Sequence, residues 1–363
     1  MLANTMNTRV DSAADVSFHP DFNDHEEVVI RDDGKCCAII AVHNTNLGPA
    51  TGGCRIYPYP LFDDALGDVL RLSRGMTFKS AMANIQFGGG KSVIIANPAT
   101  DKSREMMLAM GDFIESLQGR YIAAEDSGTS VADIKIMAER TRHVAGFVRG
   151  EQHGGDPSPM TALGVFLGIE AALRYRNMGS LGGIRVAIQG IGNVGWHLAS
   201  LLRKAGAEVI AADSNAVRLK KAVKQLGVKT CSIGKILSRN VDVLAPCAMG
   251  SAIRQDNVDQ IKATIIAGAA NNQLEVPSLA EELRQRGVLY APDYIINAGG
   301  IIDIYYQRLN IRDRDRIRSH LEIIPHNLAN IFKRSDAEKR NTAEIADELA
   351  RAVFERSNKS KRR

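Results

Sequence analysis

Cysteine is scarce in this chain of 363 residues: there are five thiols, Cys36, Cys37, Cys54, Cys231 and Cys247, with no paired CxxC spacing. That pattern excludes the disulfide framework of a small secreted domain and implies a reducing, cytoplasmic setting. No uncharged apolar run is long enough to span a bilayer, and the first 25 residues hold Arg9 among acids and small polar side chains, without an apolar core segment. Membrane insertion and export are therefore not expected. Aromatic residues make up only 5% of the chain and do not interleave with basic ones, so a stacking platform for nucleic acid is lacking. A strong excess of one charge is missing too. The formal +5 is matched by Arg356, Lys359, Lys361, Arg362 and Arg363 in the terminal RSNKSKRR, which leaves the body near neutral and the tail a solvated terminus.

What is present is an ordinary globular composition, 45% hydrophobic and 24% charged, on a chain long enough for two domains. Residues 28–42, VVIRDDGKCCAIIAV, read as two strands around an Asp-Asp-Gly turn. In DDALGDVLRLSRGM, Ala65, Val69, Leu72 and Met76 fall at helical spacing behind Asp63 and Asp64. From Gly182 the rhythm changes. IRVAIQ, EVIAAD, VDVLAP, ATIIAG and VLYAPD are short apolar strands separated by helical stretches, the pattern of a parallel sheet covered on both faces. The Gly/Pro/Ser opening of GGDPSPMTALGVFLGIEAALRY marks a boundary near residue 155, and Leu163, Phe166, Ile169 and Leu173 are expected to form the buried face of the helix that follows. Near the C-terminus, Asn341 and Glu344 form a capping box ahead of a stripe at Ile345, Leu349 and Val353, expected to pack back against the first domain. The run RDRDRIR, Arg312 to Arg318, reads as a solvated, self-paired helix face.

IRVAIQ runs into GIGNVG, with glycines at 190, 192 and 195 and Asn193 and Val194 between the last two. Gly190 permits the tight turn, Gly192 lets a pyrophosphate approach the backbone at a helix N-terminus, and Gly195 lets helix pack on strand. The next strand ends at Asp213, whose carboxylate can accept hydrogen bonds from both ribose hydroxyls and would repel a 2′-phosphate. Strand, helix and terminal acid together specify a dinucleotide site, and Asp213 favours NAD over NADP, with no cation at Ser214 or Asn215 and Arg218 close by in sequence as the contrary signal.

QFGGGKSVIIANP contains Gly88, Gly89, Gly90, Lys91 and Ser92, which imitate the end of a nucleoside-triphosphate loop. That loop requires a glycine where Ile85 stands, so the phosphate reading is set aside. Lys79 and Lys91 are twelve residues apart, suited to a helix and a loop that flank a cleft. A lysine with an ordinary pKa of about 10.4 must be brought toward ~7–8 by desolvation or a neighbouring cation to act as a base near neutrality. On composition alone a surface or salt-bridged lysine is the simpler reading.

LGPATGGCRIYPY, LRLSRGMTFKSAMANIQFGGGKSVI, AAEDSGT, GDPSPMTA, QGIGNVG, APCAMGSAI, AGAANNQL and YAPDYIINAGG, in that order over roughly residues 30–330, resemble the Glu/Leu/Phe/Val dehydrogenase family. The resemblance implies an α/β chain: a substrate-binding and oligomerisation domain over 1–155, joined by a C-terminal helix over 335–363, and a Rossmann dinucleotide-binding domain over 156–334. It implies NAD-dependent oxidative deamination of an L-amino acid to a 2-oxo acid and ammonia by a homo-oligomer. By matching position, Lys79 would bind the α-carboxylate, Lys91 would assist attack of water on the imine, and Asp126 would shuttle protons. Asn271 would contact the substrate or nicotinamide end, and Thr161, Cys247 and Ala248 the cofactor. The glycines beside Lys91 would then allow close approach of substrate.

The positions that match the family's side-chain pocket are Leu47, Gly48, Ala124, Ile301 and Ile304. A cation and a hydroxyl stand at 47 and 304 in glutamate-specific relatives, because a buried γ-carboxylate must be paired; both positions are apolar here. Leucine, valine or isoleucine is favoured, and an aromatic substrate, tryptophan or phenylalanine, is the alternative within the family. Two readings lie outside it. A non-catalytic NAD-binding regulator would need none of Lys79, Lys91 and Asp126. A 2-hydroxy-acid dehydrogenase would want a catalytic histidine, whereas His197 falls in the cofactor helix as a structural residue and His43 and His153 read as hydrogen-bonded loop residues.

Overall fold

The computed structural model describes residues 12–147, 156–248 and 250–361. The chain divides into two compact units, one formed by residues 1–156, 304–311 and 351–363, the other by 157–303 and 312–350. His153, which the sequence reading places in a loop, lies outside the described residues.

The first unit is built on a mixed sheet of six strands: β1 Ser12–Ala13, β2 Glu27–Asp32, β3 Cys37–Asn44, β4 Ala50–Tyr57, β5 Gly88–Ile95 and β6 Tyr121–Glu125. Their order is β1-β2-β3-β5-β4-β6, with β2, β3 and β5 antiparallel and β4 parallel to both β5 and β6. The long helix α1, Phe62–Met82, covers one face; α2, Arg104–Ser116, and α3, Val131–Met137, cover the other. The apolar run of β3 serves both layers, since successive side chains alternate in direction. Ile39 and Ala41 join Ala65, Leu66, Val69 and Leu70 of α1, while Ala38, Ile40 and Val42 join Met107, Met110 and Phe113 of α2. Asp63 and Asp64 in the first turn of α1 and Lys79 in its last complement the helix dipole.

The second unit carries six parallel strands: β7 Arg185–Gln189, β8 Glu208–Ala212, β9 Lys229–Thr230, β10 Val243–Pro246, β11 Ile265–Ile266 and β12 Leu289–Tyr290. The order β12-β11-β10-β7-β8-β9 places the first strand of the unit beside the second and the fourth, the doubly wound Rossmann arrangement. Its helices are α4 Ser158–Tyr175, α5 Asn193–Lys204, α6 Ala216–Leu226, α7 Ile233–Ile236, α8 Leu279–Gln285, α9 Asp293–Ile296, α11 Arg314–Leu321 and α12 Ile323–Glu338, while α10 Gly299–Arg308 and α13 Thr342–Lys361 contribute residues to both units. No helix among the described residues is long and apolar enough to cross a membrane.

Two helical faces differ from the sequence reading. On α4 the buried residues include Ala162, Gly164, Val165, Gly168, Ile169 and Leu173, whereas Leu163 and Phe166 are only half-buried. The reason is close packing: a Cβ on Gly164 would lie 2.7 Å from Cδ1 of Ile324, and one on Gly168 would lie 2.5 Å from Cγ1 of Ile296. At the C-terminus the capping pair is present, Asn341 Oδ1 accepting from the Glu344 N–H at 3.0 Å. The buried stripe of α13 runs through Ile345, Ala346, Ala350 and Phe354, with Val353 40% exposed. Its first turns belong to the second unit, where the Thr342 hydroxyl donates to the Tyr290 carbonyl at 2.7 Å; Phe354 stacks on Phe78 and His43 in the first.

Candidate active site

Gly88, Gly89 and Gly90 open β5 itself, and Lys91 follows on the strand rather than on a loop. Their missing side chains are replaced by protein, not left for a substrate. A Cβ on Gly88 would meet the Asn44 carbonyl oxygen at 2.2 Å, one on Gly89 the Thr77 Oγ1 and N at 2.0 and 2.2 Å, and one on Gly90 the Tyr121 ring at 2.8 Å. The expectation of substrate access through these glycines is therefore corrected. Gly89 lets α1 lie directly on the strand, so the helix that carries Lys79 and the strand that carries Lys91 are held backbone to backbone.

On β5 the Lys91 side chain is only 5% exposed, and its Nζ donates to Oδ2 of Asp126, which follows β6. The other oxygen, Oδ1, accepts from Arg55 Nε at 3.0 Å and from the Ser127 N–H at 2.7 Å. Arg55 Nη1 donates in turn to Asp68 Oδ2 on α1 at 2.8 Å, and the Tyr59 hydroxyl donates to the same oxygen at 2.5 Å. Thr129 fixes the backbone, since its Oγ1 accepts from the Asp126 N–H and donates to the Cys54 carbonyl, each at 2.8 Å. Burial pushes the Asp126 carboxyl up, but the charges and hydrogen bonds of Lys91 and Arg55 outweigh it and hold the group well below the usual carboxylate range. Next to it, burial and the carboxylates of Asp156 and Asp126 raise Glu125. Room for Asp126 comes from Gly53, whose Cβ would stand 2.7 Å from both Cβ and Oδ2 of the aspartate.

Of the other residues expected on the substrate side, Lys79 is half-buried in the last turn of α1. Leu47 and Gly48 are half-buried in the loop between β3 and β4, and Ala124 is buried on β6 opposite Gly53. Ile301 and Ile304 lie on α10 and are 7% and 9% exposed, so both are largely enclosed. Asn271 is exposed; its side-chain oxygen accepts from Asn297 Nδ2 at 2.9 Å.

In the second unit the glycine turn has the shape that each of its glycines implies. Gly190 has φ +97° and no room for a Cβ, which would lie 2.8 Å from the Ala248 N. A Cβ on Gly195 would fall 2.0 Å from the Gly190 carbonyl oxygen, so the third glycine does let α5 sit close to its strand. A Cβ on Gly192 would meet nothing within 4 Å beyond its chain neighbours, and this residue is the N-cap of α5 without offering a side-chain cap. A helix N-terminus facing open space, entered by Asn193 and Val194, is a cradle for a pyrophosphate. Asp213 closes β8; its Oδ2 accepts from the Ile191 N–H at 2.7 Å and its Oδ1 from the Asn215 N–H at 2.7 Å. The Cys247 N–H bonds to the Gln189 carbonyl at 2.7 Å, which puts Cys247 and Ala248 against the turn, and burial pushes the Cys247 thiol up to about 12. Thr161 lies on α4 with its hydroxyl donating to the Pro157 carbonyl at 3.0 Å, close under Gly300. These residues fit a dinucleotide. Arg218, in the first turn of α6, is exposed.

His43 is a strand residue, not a loop residue: it sits on β3, 4% exposed, with Nδ1 2.7 Å from the Thr77 hydroxyl and its ring against His25. Burial brings His25 down to about 4 and His43 to about 3, so both are neutral structural groups. His197 is half-buried on α5. The residues that sequence reasoning missed are Arg55, Tyr59, Asp68 and Thr129. A signal existed for the first, since a guanidinium inside the apolar strand ATGGCRIY requires a nearby carboxylate.

Comparison with known proteins covers both units. Residues 24–143 match the family model described as Glu/Leu/Phe/Val dehydrogenase, dimerisation domain, and residues 155–220 and 212–362 match the one described as Glutamate/Leucine/Phenylalanine/Valine dehydrogenase. The chain is 41% identical over 341 residues to leucine dehydrogenase of Geobacillus stearothermophilus, covering 93% of each. It is also 41% identical over 326 residues to L-tryptophan dehydrogenase of Nostoc punctiforme, covering 89% of this chain and 91% of the relative. The crystal structure of an L-tryptophan dehydrogenase from Nostoc punctiforme superposes with a TM-score of 0.79 at 38% identity, over 93% of this chain and 97% of that one.

Proposed function

The chain belongs to the Glu/Leu/Phe/Val dehydrogenase family, and on that premise we propose that it oxidatively deaminates an apolar L-amino acid to its 2-oxo acid and ammonia, reversibly and with NAD. The observation that carries this reading is the shielded Lys91–Asp126 pair, an amine and a carboxylate held in contact. In the proposed cycle the Lys79 ammonium pairs with the substrate α-carboxylate. Asp126 accepts a proton from the α-ammonium and later returns it to the departing ammonia. Lys91, in the form that has released its own proton, takes the proton of the water that attacks the imine carbon. A nicotinamide held by the glycine turn and Asp213, with Thr161, Cys247, Ala248 and Asn271 beside it, would accept the α-hydrogen as hydride. Asp213 supports NAD as the preferred cofactor, because a 2′-phosphate would meet a carboxylate there.

Leu47, Gly48, Ala124, Ile301 and Ile304 support a branched aliphatic side chain, leucine, valine or isoleucine. The aromatic alternative rests on a specific observation, the equal identity to an enzyme named for tryptophan. We further propose a homo-oligomer working in the cytoplasm, with small molecules rather than nucleic acid or membrane as partners; the dimerisation-domain match over 24–143 supports the first point. The test is a panel of L-amino acids followed for NADH, and separately NADPH, formation at alkaline pH. Turnover of leucine, valine or isoleucine with NAD is expected; turnover of none would refute the activity, and tryptophan outpacing leucine would transfer the assignment to the aromatic class.

A further inference from the structure

Four charged side chains alternate in sign from one end of the site to the other: Lys91, Asp126, Arg55 and Asp68. The members come from β5, the end of β6, β4 and α1, so this line ties the carboxylate to the helix that covers the sheet on that side. Arg55, Asp68 and Asp126 are each 16% exposed, enough shielding for the pairs to matter. The two oxygens of Asp126 have different company. Oδ1 is taken by Arg55 Nε and the Ser127 N–H, whereas among the described residues Oδ2 receives only Lys91.

We propose that Arg55 is a positioning residue for the deamination: anchored by Asp68 and Tyr59, it occupies Oδ1 of Asp126 and so reserves Oδ2 as the oxygen that works with Lys91. This rests on the amino-acid dehydrogenase reading. The guanidinium also supplies one of the two cations that keep the carboxyl ionised, so its removal acts on charge as well as orientation. The other titratable groups that feel Asp126 are Glu125 on β6, the buried Cys54 thiol on β4 and the buried Tyr121 phenol on β6. All three remain in every variant below, so differences between variants report Arg55 and Asp68.

Arg55→Gln leaves an Asp126 with one cation instead of two. Its carboxyl then titrates higher in a carbon-13 titration of Asp126. Turnover falls by at least tenfold while the dissociation constant for NAD stays within twofold. Arg55→Lys keeps the charge without the fork; it leaves that titration closer to wild type and still loses turnover. Asp68→Asn, which releases the anchor alone, lowers kcat without moving the titration upward. An Asp126 titration that stays in place in Arg55→Gln overturns the proposal. If that variant does not fold, unchanged kcat in both Arg55→Lys and Asp68→Asn overturns it, and a tenfold loss in each with KM and melting temperature preserved supports it. A wild-type enzyme inert toward every amino acid would instead sink the underlying activity; a carbon-13 titration of the Asp126 carboxyl in Arg55→Gln, expected to shift upward from wild type, still decides the role of Arg55.

Discussion

Replacing Gly89 by alanine places a methyl group 2.0 Å from Thr77 Oγ1, 2.2 Å from Thr77 N and 2.6 Å from the Ser73 carbonyl oxygen. Two of these three atoms are backbone of α1, so no change of rotamer relieves the clash. Helix and strand must separate by roughly 1 Å, an overpacking that costs about 1–3 kcal/mol in a well-packed interior. The same movement strains the 2.7 Å contact between Thr77 Oγ1 and His43 Nδ1, and leaving those groups unpaired costs about 1–3 kcal/mol more. The two terms share one displacement and do not add fully, so the total is about 2–5 kcal/mol. For a unit of this size each kcal/mol lowers the melting temperature by ~2–4 °C. Turnover is expected to drop by about 100-fold, the usual effect of a 1 Å misplacement of catalytic groups, because α1 carries Lys79 and β5 carries Lys91. The dissociation constant for NAD stays near wild type, since the glycine turn lies in the other unit. Gly75→Ala is the internal control. It lies in the same helix with nothing within 4 Å of its Cβ, and should stabilise by about 0.5–1 kcal/mol through helix propensity. Thermal melts and steady-state kinetics on the two variants test the reasoning together; a Gly89→Ala protein with wild-type melting temperature and kcat would refute it.

The neutral pair His25 and His43 makes the first unit acid-labile. Both imidazoles titrate below the ordinary value of 6.5 in the folded chain, so the unfolded chain binds more protons in that interval. Their stability contribution is complete above about pH 6.5 and is lost as pH falls toward 4, on the order of 2–3 kcal/mol per imidazole by pH 4.5. Melts from pH 7.5 to 4.5 should fall less steeply in His25→Asn/His43→Asn than in wild type, and equal slopes would contradict this account. Lys91→Ala should reduce kcat by 10³-fold or more with NAD affinity intact, while Lys79→Ala should act mainly on the KM of the amino acid; near-wild-type kinetics for both would remove the proposed roles. Asp213→Ala should weaken NAD by at least tenfold and narrow its advantage over NADP in a binding titration, with unchanged NAD affinity as the contrary result.

The parts of the fold legible in sequence were those set by short-range pattern. The β-hairpin at residues 27–44, the strands from Gly182 onward and the turn at Gly190–Gly195 all depend on neighbours within a few positions. Lys91 and Asp126 became candidates through resemblance, and the structure joins them across β5 and β6. What could not be read was who fills the space beside a glycine. Gly89 faces Thr77, and Gly53 faces Asp126, each partner set by sheet order rather than by spacing. Arg55 escaped notice for the same reason, since its carboxylates lie 13 and 71 positions away. On α4 the periodicity favoured the large side chains, but close contact with α9 and α12 requires the small ones, and the face turned toward Gly164 and Gly168.

Asp213 has an occupation besides any ribose: it buttresses the loop through Ile191 and steadies the next turn through Asn215. On the proposed reading, cofactor preference and loop architecture share one side chain. A designer or a lineage that exchanges it for a smaller neutral residue to admit a 2′-phosphate would also loosen the glycine loop proposed to hold the diphosphate. Conversion needs a second substitution that returns an acceptor to the Ile191 amide, so the route to the other nucleotide passes through a weakly binding intermediate unless both changes arrive together.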